Sequence, residues 1–475
     1  MGHRKKLKIL NDIEITQIAD QGVGVGRQEG KVIFVENTVP GDVVDVQLTK
    51  NRKDFATGYV VMAKKNSPLR QEPFCSHYGT CGGCTWQNVG YETQLEFKTQ
   101  LVKDAFRRIG KVPTPELQPI LASPFDKYYR NKMEFTFTNA GYVEGKFSRD
   151  EVIEKTPALG FHVKGKFAHV FDMQHCYLQP HPSNEIRMSV RSYANIHALP
   201  YYDLRNHLGY LRNLIIKNTM NGGLMVIMVV ALDKPEWLTP LMDHVKATFP
   251  EITSLYYCIN SKHNDSIYDQ DLVLYSGAPY IVETIDHIQY NLGPKSFFQT
   301  NAAQAINLYH VALEFADLKK HQVVYDFYTG LGSIALLAAG SCKKVIGVEY
   351  VEAAVEDAKM NAALNNISNA EFICGDMAKI FDPAFIEQHG KADVVITDPP
   401  RSGMHKDVCM QLLALAPETI VYVSCNPVTQ ARDILLLSEK YEIVKLQPVD
   451  MFPQTYHVEN VALLRLKNDP QPETE

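Results

Sequence analysis

The 475-residue sequence has no apolar run approaching the roughly 18 residues that a membrane-crossing helix needs. Its first residues, Met1-Gly-His-Arg-Lys-Lys-Leu-Lys, lack the apolar stretch of a secretory signal. The expectation is therefore a soluble, cytoplasmic protein. Excess basic charge is missing as well, since 48 Lys+Arg stand against 54 Asp+Glu and the sequence pI is near 6.3. Any contact with nucleic acid must then come from local patches and depend strongly on salt. No internal repeat or extended low-complexity segment stands out.

What is present divides the chain. With 45% hydrophobic residues over 475 positions, roughly three domain cores are expected. Residues 1–66 alternate short β-rich segments (13–18, 31–35, 43–48 and 58–63) with turns read at 22–26 and at Pro40-Gly41-Asp42, a pattern that suits a small antiparallel barrel. Residues 1–70 carry 12 Lys+Arg against 8 Asp+Glu, so basic charge gathers there, and phosphate contact is the favoured reading. Residues 67–294 form a middle domain with a helix expected over 91–109 bearing Lys98, Lys103, Arg107 and Arg108. Residues 295–467 alternate strands and helices, and 468–475 read as a disordered polar tail.

The chemistry lies in the last of these domains. A strand at 323–327 runs into Tyr328-Thr329-Gly330-Leu331-Gly332-Ser333 and then a helix, a strand–glycine turn–helix unit. The next strand ends in Glu349, 17 residues after Gly332, where a carboxylate can accept hydrogen bonds from ribose hydroxyls. A third glycine is absent, so the dinucleotide fingerprint is incomplete and S-adenosylmethionine is favoured over NAD. Glu349, Asp376, Asp398 and Cys425 all fall at expected strand ends, where a parallel sheet binds its ligands. A lone thiol beside a methyl-donor site suits addition to carbon 6 of a uracil ring, because carbon 5 is too weak a nucleophile unaided.

Cys75, Cys81 and Cys84 form a compact group, with Cys176 92 residues beyond Cys84. Three thiolates on a tight loop and one distant thiolate can complete a tetrahedral metal set, for which spacing alone weighs zinc and iron about equally. Nine cysteines and no secretory segment disfavour disulfides. Cys258, Cys342, Cys374 and Cys409 read as small buried residues. Tyr128-Tyr129-Arg130-Asn131-Lys132 joins rings and cations in the manner of single-stranded RNA contacts, with Arg130 and Lys132 the candidates.

Asp398-Pro-Pro-Arg401, Ser424-Cys-Asn-Pro427 and His457-Val-Glu-Asn460, in this order, resemble the signatures of the RNA uracil-5-methyltransferase family. The resemblance implies a multidomain α/β protein: an N-terminal TRAM-like (OB-like) barrel, a central α+β RNA-binding domain with an iron-sulfur loop, and a C-terminal Rossmann-like class I methyltransferase. It implies Cys425 as nucleophile and Glu459 as general base, and donor contacts from Gln299, Tyr328, Ser333, Glu349, Asp376 and Asp398. Thr329 and Ser333 depart from the residues of many members. It further implies a four-iron four-sulfur cluster on Cys75, Cys81, Cys84 and Cys176, structural rather than redox, and Phe297 as a ring that can stack on a flipped base, worth about 1 to 3 kcal/mol. The expected activity is formation of 5-methyluridine in structured RNA, 23S rRNA first. Transfer RNA is a second substrate, and RNA cytosine-5-methylation a chemical rival disfavoured by Arg401 where those enzymes carry a second cysteine. A noncatalytic RNA-binding ribosome-assembly factor is the rival of another class.

Overall fold

The computed structural model describes residues 8–143 and 156–467; the expected tail at 468–475 and the basic Arg4, Lys5 and Lys6 lie outside the described residues. Strands β1 (Ile9–Ile18), β2 (Gly24–Gln28), β3 (Lys31–Glu36), β4 (Val43–Asn51) and β5 (Phe55–Lys65) close a barrel in the order β1-β2-β3-β5-β4. Ile13, Ile15, Ile33, Val35, Val44 and Val46 fill it, as the period-2 alternation requires. The segment 22–26, read as a turn, is corrected: Gly22 turns the chain with φ +69°, but Gly24 and Gly26 lie within β2. A Cβ on Gly24 would stand 2.0 Å from Thr38 Oγ1, and one on Gly26 would stand 2.4 Å from Ile13 Cγ2. These glycines mark close approach in a small barrel rather than a reversal.

Helix α1 (Tyr91–Ala105) ends in a wider π-turn over Phe106–Gly110. Its Val102 and Ala105, with Phe106, pack into the core of the C-terminal domain beside Ile434 and Leu437. Lys98, one of the four cations on the expected helix, is fully buried, with Nζ 2.5 Å from Asp450 Oδ1. Lys103, Arg107 and Arg108 are exposed, as expected.

The central domain comprises β6 (Lys132–Thr138), β7 (Ala158–Val163), β8 (Lys166–Asp172), α2 (Ser183–Ile196), β9 (Leu211–Asn218), β10 (Leu224–Val230), α3 (Pro235–Thr248), β11 (Ser254–Ile259) and β12 (Leu272–Gly277). Its sheet runs β12-β11-β10-β9-β6-β7-β8, and only β10 and β11 pair in parallel. A hairpin, β13 (Ile281–Ile285) and β14 (Ile288–Leu292), follows and docks on the C-terminal domain. There its Gln289 and Asn291 amides donate to Asn365 and Asn361, each at 2.8 Å.

The C-terminal domain runs α4 (Ala302–Ala316), β15 (Val323–Phe327), α5 (Ser333–Ala339), β16 (Lys344–Glu349), α6 (Glu352–Leu364), β17 (Ala370–Cys374), α7 (Pro383–His389), β18 (Val394–Thr397), α8 (Lys406–Leu415), β19 (Thr419–Ser424), α9 (Pro427–Leu437), β20 (Tyr441–Val449) and β21 (Glu459–Leu466). Sheet order is β17-β16-β15-β18-β19-β21-β20, parallel through β19 and antiparallel at β21 and β20. The order reverses between β15 and β18, and the crevice beyond their carboxyl ends is where such sheets bind ligands. Cys374, expected buried, is exposed because it closes the edge strand β17. Among the described residues no helix is long and apolar enough to cross a membrane.

The tight glycine contacts carry a test. Gly24→Ala forces a methyl against Thr38 and Ile15 and is expected to destabilise the protein by about 1 to 3 kcal/mol, read as a lower midpoint in urea denaturation.

Candidate active site

Cys425 stands between the end of β19 and Asn426, whose side chain caps α9 by accepting from the Val428 amide at 3.1 Å. Glu459 opens β21, and the β19–β21 register pairs Ser424 with Asn460. Thiol and carboxyl, 34 residues apart in sequence, thereby become neighbours across two strands. Burial, then the negative charges of Glu459 and Asp398, push the Cys425 thiol up to about 12, while the Arg401 guanidinium pulls it down. Glu459 is 2% exposed and its Oε2 has no hydrogen-bond partner. Burial, followed by the Asp398 charge, holds it well above the usual carboxylate range against the pull of Arg401. A buried polar atom without a partner is rare, and this one belongs to the carboxyl whose charge acts on the Cys425 thiol.

The thiol opens into a cleft of ≈ 470 Å³ between barrel and catalytic domain. Val25, Arg27, Phe34 and Phe55 supply the barrel wall, and Arg401, Tyr456 and His457 face them. Tyr456 and His457 pack with ring centroids 4.1 Å apart, and Arg401 donates to the Tyr456 hydroxyl at 3.2 Å. Burial, then the cations Arg401, Lys98 and Arg130, lower His457 to about 4, so its ring is neutral at physiological pH. Arg401, Tyr456 and His457 had no assigned role in the sequence reading; Arg401 and His457 lie within the quoted motifs, and Tyr456 directly precedes the last of them.

A second cavity of ≈ 560 Å³ lies on the other side of the Asp398-Pro399-Pro400-Arg401 segment. Phe297, Gln299, Tyr328, Ser333, Glu349 and Asp398 line it. Gly332 there adopts φ +88° and a Cβ would meet the Phe372 ring at 3.1 Å, so only glycine lets the turn lie this close. The Glu349 carboxylate accepts from the Gly330, Tyr350 and Val351 amides, which fixes it at the cavity wall. Gln299 Nε2 donates to Asp398 Oδ2 at 3.4 Å, and burial raises that carboxyl to about 7. Asp326, which sequence reasoning missed, is a further lining carboxyl; burial raises it to about 7 although it accepts from the Thr329 hydroxyl at 2.6 Å. Its position at the end of the first strand before the glycine turn was the signal.

Asp376 does not join this set. It lines an adjoining cleft, where its carboxylate pairs with Lys379 at 3.0 Å and accepts from the Ala378 amide. Phe297 is 66% exposed and lies on this second cavity, not on the thiol's cleft. Arg130 packs over the Tyr129 and Phe452 rings at 5.9 and 5.5 Å, and Asn131 donates to the Gln299 carbonyl at 2.9 Å. Lys132 is half-buried in β6.

Cys75, Cys81, Cys84 and Cys176 converge on one small void, lined also by His77, Phe161, Met173 and Leu178. All four are free thiols. Cys176 is fixed by Asn184 of α2, which accepts from its amide at 2.7 Å and donates to its carbonyl at 3.0 Å. Among the described residues no three such side chains form a set for a single metal ion.

The thiol's environment predicts its reactivity. In the RNA-free protein, alkylation of Cys425 by iodoacetamide, followed by peptide mass spectrometry, is expected to rise about tenfold per pH unit with no plateau near pH 9, because only the thiolate reacts. Glu459→Gln removes a charge that opposes the thiolate and so speeds the alkylation.

The family model for tRNA (uracil-5-)-methyltransferase matches residues 277–467, and that for the TRAM domain matches residues 11–61. An uncharacterized RNA methyltransferase of Bacteroides thetaiotaomicron is 47% identical over 95% of this chain and 100% of its own length. One from Porphyromonas gingivalis is 48% identical over 95% of this chain and 99% of its own. Among solved structures, Pyrococcus abyssi tRNA (uracil-54, C5)-methyltransferase in complex with S-adenosyl-L-homocysteine aligns with TM-score 0.74 at 27% identity, covering 96% of this chain and 100% of that one. With a TRAM barrel and a class I methyltransferase fold, the chain belongs to the S-adenosylmethionine-dependent RNA uracil-5-methyltransferase family.

Proposed function

We propose that this protein methylates carbon 5 of a uridine in structured RNA through a covalent bond between Cys425 Sγ and carbon 6. The observation that carries the proposal is the pairing, across β19 and β21, of a cleft-facing thiol with a buried carboxyl whose Oε2 is unpartnered. The thiol gives its proton to solvent water through the cleft, and the thiolate forms the S–C6 bond while the C5=C6 electron pair moves into an enolate on the carbon 4 oxygen. The donor supplies an electrophilic methyl group: carbon 5 bonds to it as the sulfonium C–S bond breaks. Glu459 then takes the carbon 5 proton; the freed pair restores C5=C6 and expels the thiolate. A carboxyl held well above the usual range is a stronger base once ionised.

The uridine enters the barrel-side cleft, where Tyr456 and His457 offer the stacking surface that the sequence reading gave to Phe297. Gln299, Tyr328, Ser333, Glu349 and Asp398 hold the donor, with Asp326 added. Ribosomal RNA (23S) is the first substrate proposed and transfer RNA the second. The second gains weight from the archaeal transfer-RNA enzyme, whose alignment covers 96% of this chain and so takes in most of the barrel. We therefore rest the order of the two substrates on other grounds than the barrel. For the four cysteines we favour a four-iron four-sulfur cluster over zinc. The four thiols converge on one void, which is the donor set that such a cluster needs. A bound cluster would tie Cys176 to the 75–84 turn as a structural brace.

Methyl transfer from labelled S-adenosylmethionine to 23S rRNA and tRNA of methylation-deficient cells, with nucleoside analysis, is expected to yield 5-methyluridine in one RNA and none with Cys425→Ala. 5-Methylcytidine as the product would overturn the uridine assignment. For the cysteine site, the protein purified without oxygen is expected to contain iron and acid-labile sulfide in equal amounts, lost together in Cys84→Ser; stoichiometric zinc without sulfide contradicts the cluster.

A further inference from the structure

The segment 450–458 connects β20 to β21 and delivers His457 and Glu459 to the site. A nine-residue connection between adjacent antiparallel strands is ordinarily loose, yet Asp450, Met451, Gln454 and Thr455 are buried. Most of its outside anchors come from residues more than 300 positions earlier. Lys98 Nζ donates to Asp450 Oδ1 at 2.5 Å and to the Phe452 carbonyl at 3.0 Å, and the Tyr91 hydroxyl donates to Asp450 Oδ2 at 2.8 Å. Gln94 and Gln454 form a reciprocal pair: Gln94 Nε2 donates to Gln454 Oε1 at 3.0 Å, and the Gln454 amide donates to Gln94 Oε1 at 2.9 Å. The Thr85 and Trp86 amides, immediately after Cys84, donate to the Gln454 carbonyl at 2.8 and 3.1 Å.

Tyr91, Gln94 and Lys98 stand at i, i+3 and i+7, so α1 turns one polar face into the protein. Gln94 and Lys98 are both 0% exposed. A buried ion pair is weak support for stability in itself, because desolvation offsets its attraction. Its geometric specificity is the property that bears on function here: Tyr91, Gln94 and Lys98 each donate to the loop that leads into Glu459, and Gln94 Nε2 also donates to the Trp86 and Val89 carbonyls, each at 3.1 Å.

We propose that α1, through the Lys98–Asp450 ion pair and the Gln94–Gln454 amide pair, positions the 450–458 loop so that Glu459 meets the carbon 5 proton. Lys98 and Gln94 are thus positioning residues for the elimination step, not RNA contacts. The proposal rests on the covalent reading above, in which Glu459 acts after methyl transfer.

The test uses Lys98→Met/Asp450→Asn, which avoids an uncompensated buried charge, and Gln94→Leu, which removes the amide pair without a charge change. Each is compared with wild type and Glu459→Gln in the full-length protein. The positioning role expects the kcat for RNA methylation to fall about tenfold or more with the KM for RNA within about twofold. Thermal unfolding and S-adenosylmethionine binding stay near wild type, and hydrogen exchange speeds up at 450–458. A covalent protein–RNA species, resolved on a denaturing gel, accumulates as in Glu459→Gln. Folded variants with kcat within about twofold of wild type would overturn the proposal, as would a loss of donor binding equal to the loss of kcat. Absence of adduct in Glu459→Gln, together with activity in Cys425→Ala, condemns the covalent reading instead; kcat and exchange still judge the clamp.

Discussion

The antiparallel entry of β21 between β19 and β20 is the constraint on which the site depends. A parallel continuation of the sheet would have placed the strand after β19 with its start at the far end. Reversal brings the start of β21, and with it Glu459, to the end of β19, where Cys425 sits. The same reversal requires the connection 450–458 to lie at the mouth of the site, and the polar face of α1 covers it. The methyltransferase core and the segment that follows the barrel are therefore one folding problem rather than two.

Electrostatics in this corner are set by burial against one cation. Glu459, Asp398 and the thiol each resist ionisation, for lack of water and because they oppose one another, while Arg401 favours the charged form of both Cys425 and Glu459. In the resting protein the thiol is therefore protonated, which protects it from adventitious oxidation and alkylation. Charge develops when a substrate arrives to share it. His457, neutral between three cations, adds a polar ring without adding charge.

Much of the C-terminal domain was legible because its signals are local. The strand at 323–327 matches its expected limits, a short apolar run that ends in a glycine turn. Cys425, Glu459, Glu349, Asp398 and Gln299 could be picked out because strand ends and short motifs mark them. What escaped is long-range. Lys98 reads as one more helix cation until Asp450, 352 residues away, is placed against it. The glycines of β2 look like a turn because the side chains they accommodate lie elsewhere in the chain, Thr38 in the loop after β3 and Ile13 and Ile15 on β1. Asp376 sits at a strand end like the other acids, yet the turn after β17 aims it into the neighbouring cleft. Phe297 lines the cavity beside the glycine turn while Tyr456 lines the thiol's cleft, and no local pattern states on which side of a wall a ring will fall.

That wall is the Asp398-Pro399-Pro400-Arg401 segment, with Asp398 and Pro400 on the donor cavity and Arg401 on the thiol's cleft. Two consecutive prolines lock φ and leave it little freedom to bend. The two chambers share no lining residue. The molecule is in this sense a two-door room, with one opening beside the barrel and one beside the glycine turn. Under the proposed reaction, an RNA held on the thiol would leave the second opening clear, so exchange of the small donor would not have to wait for the departure of a large, folded substrate.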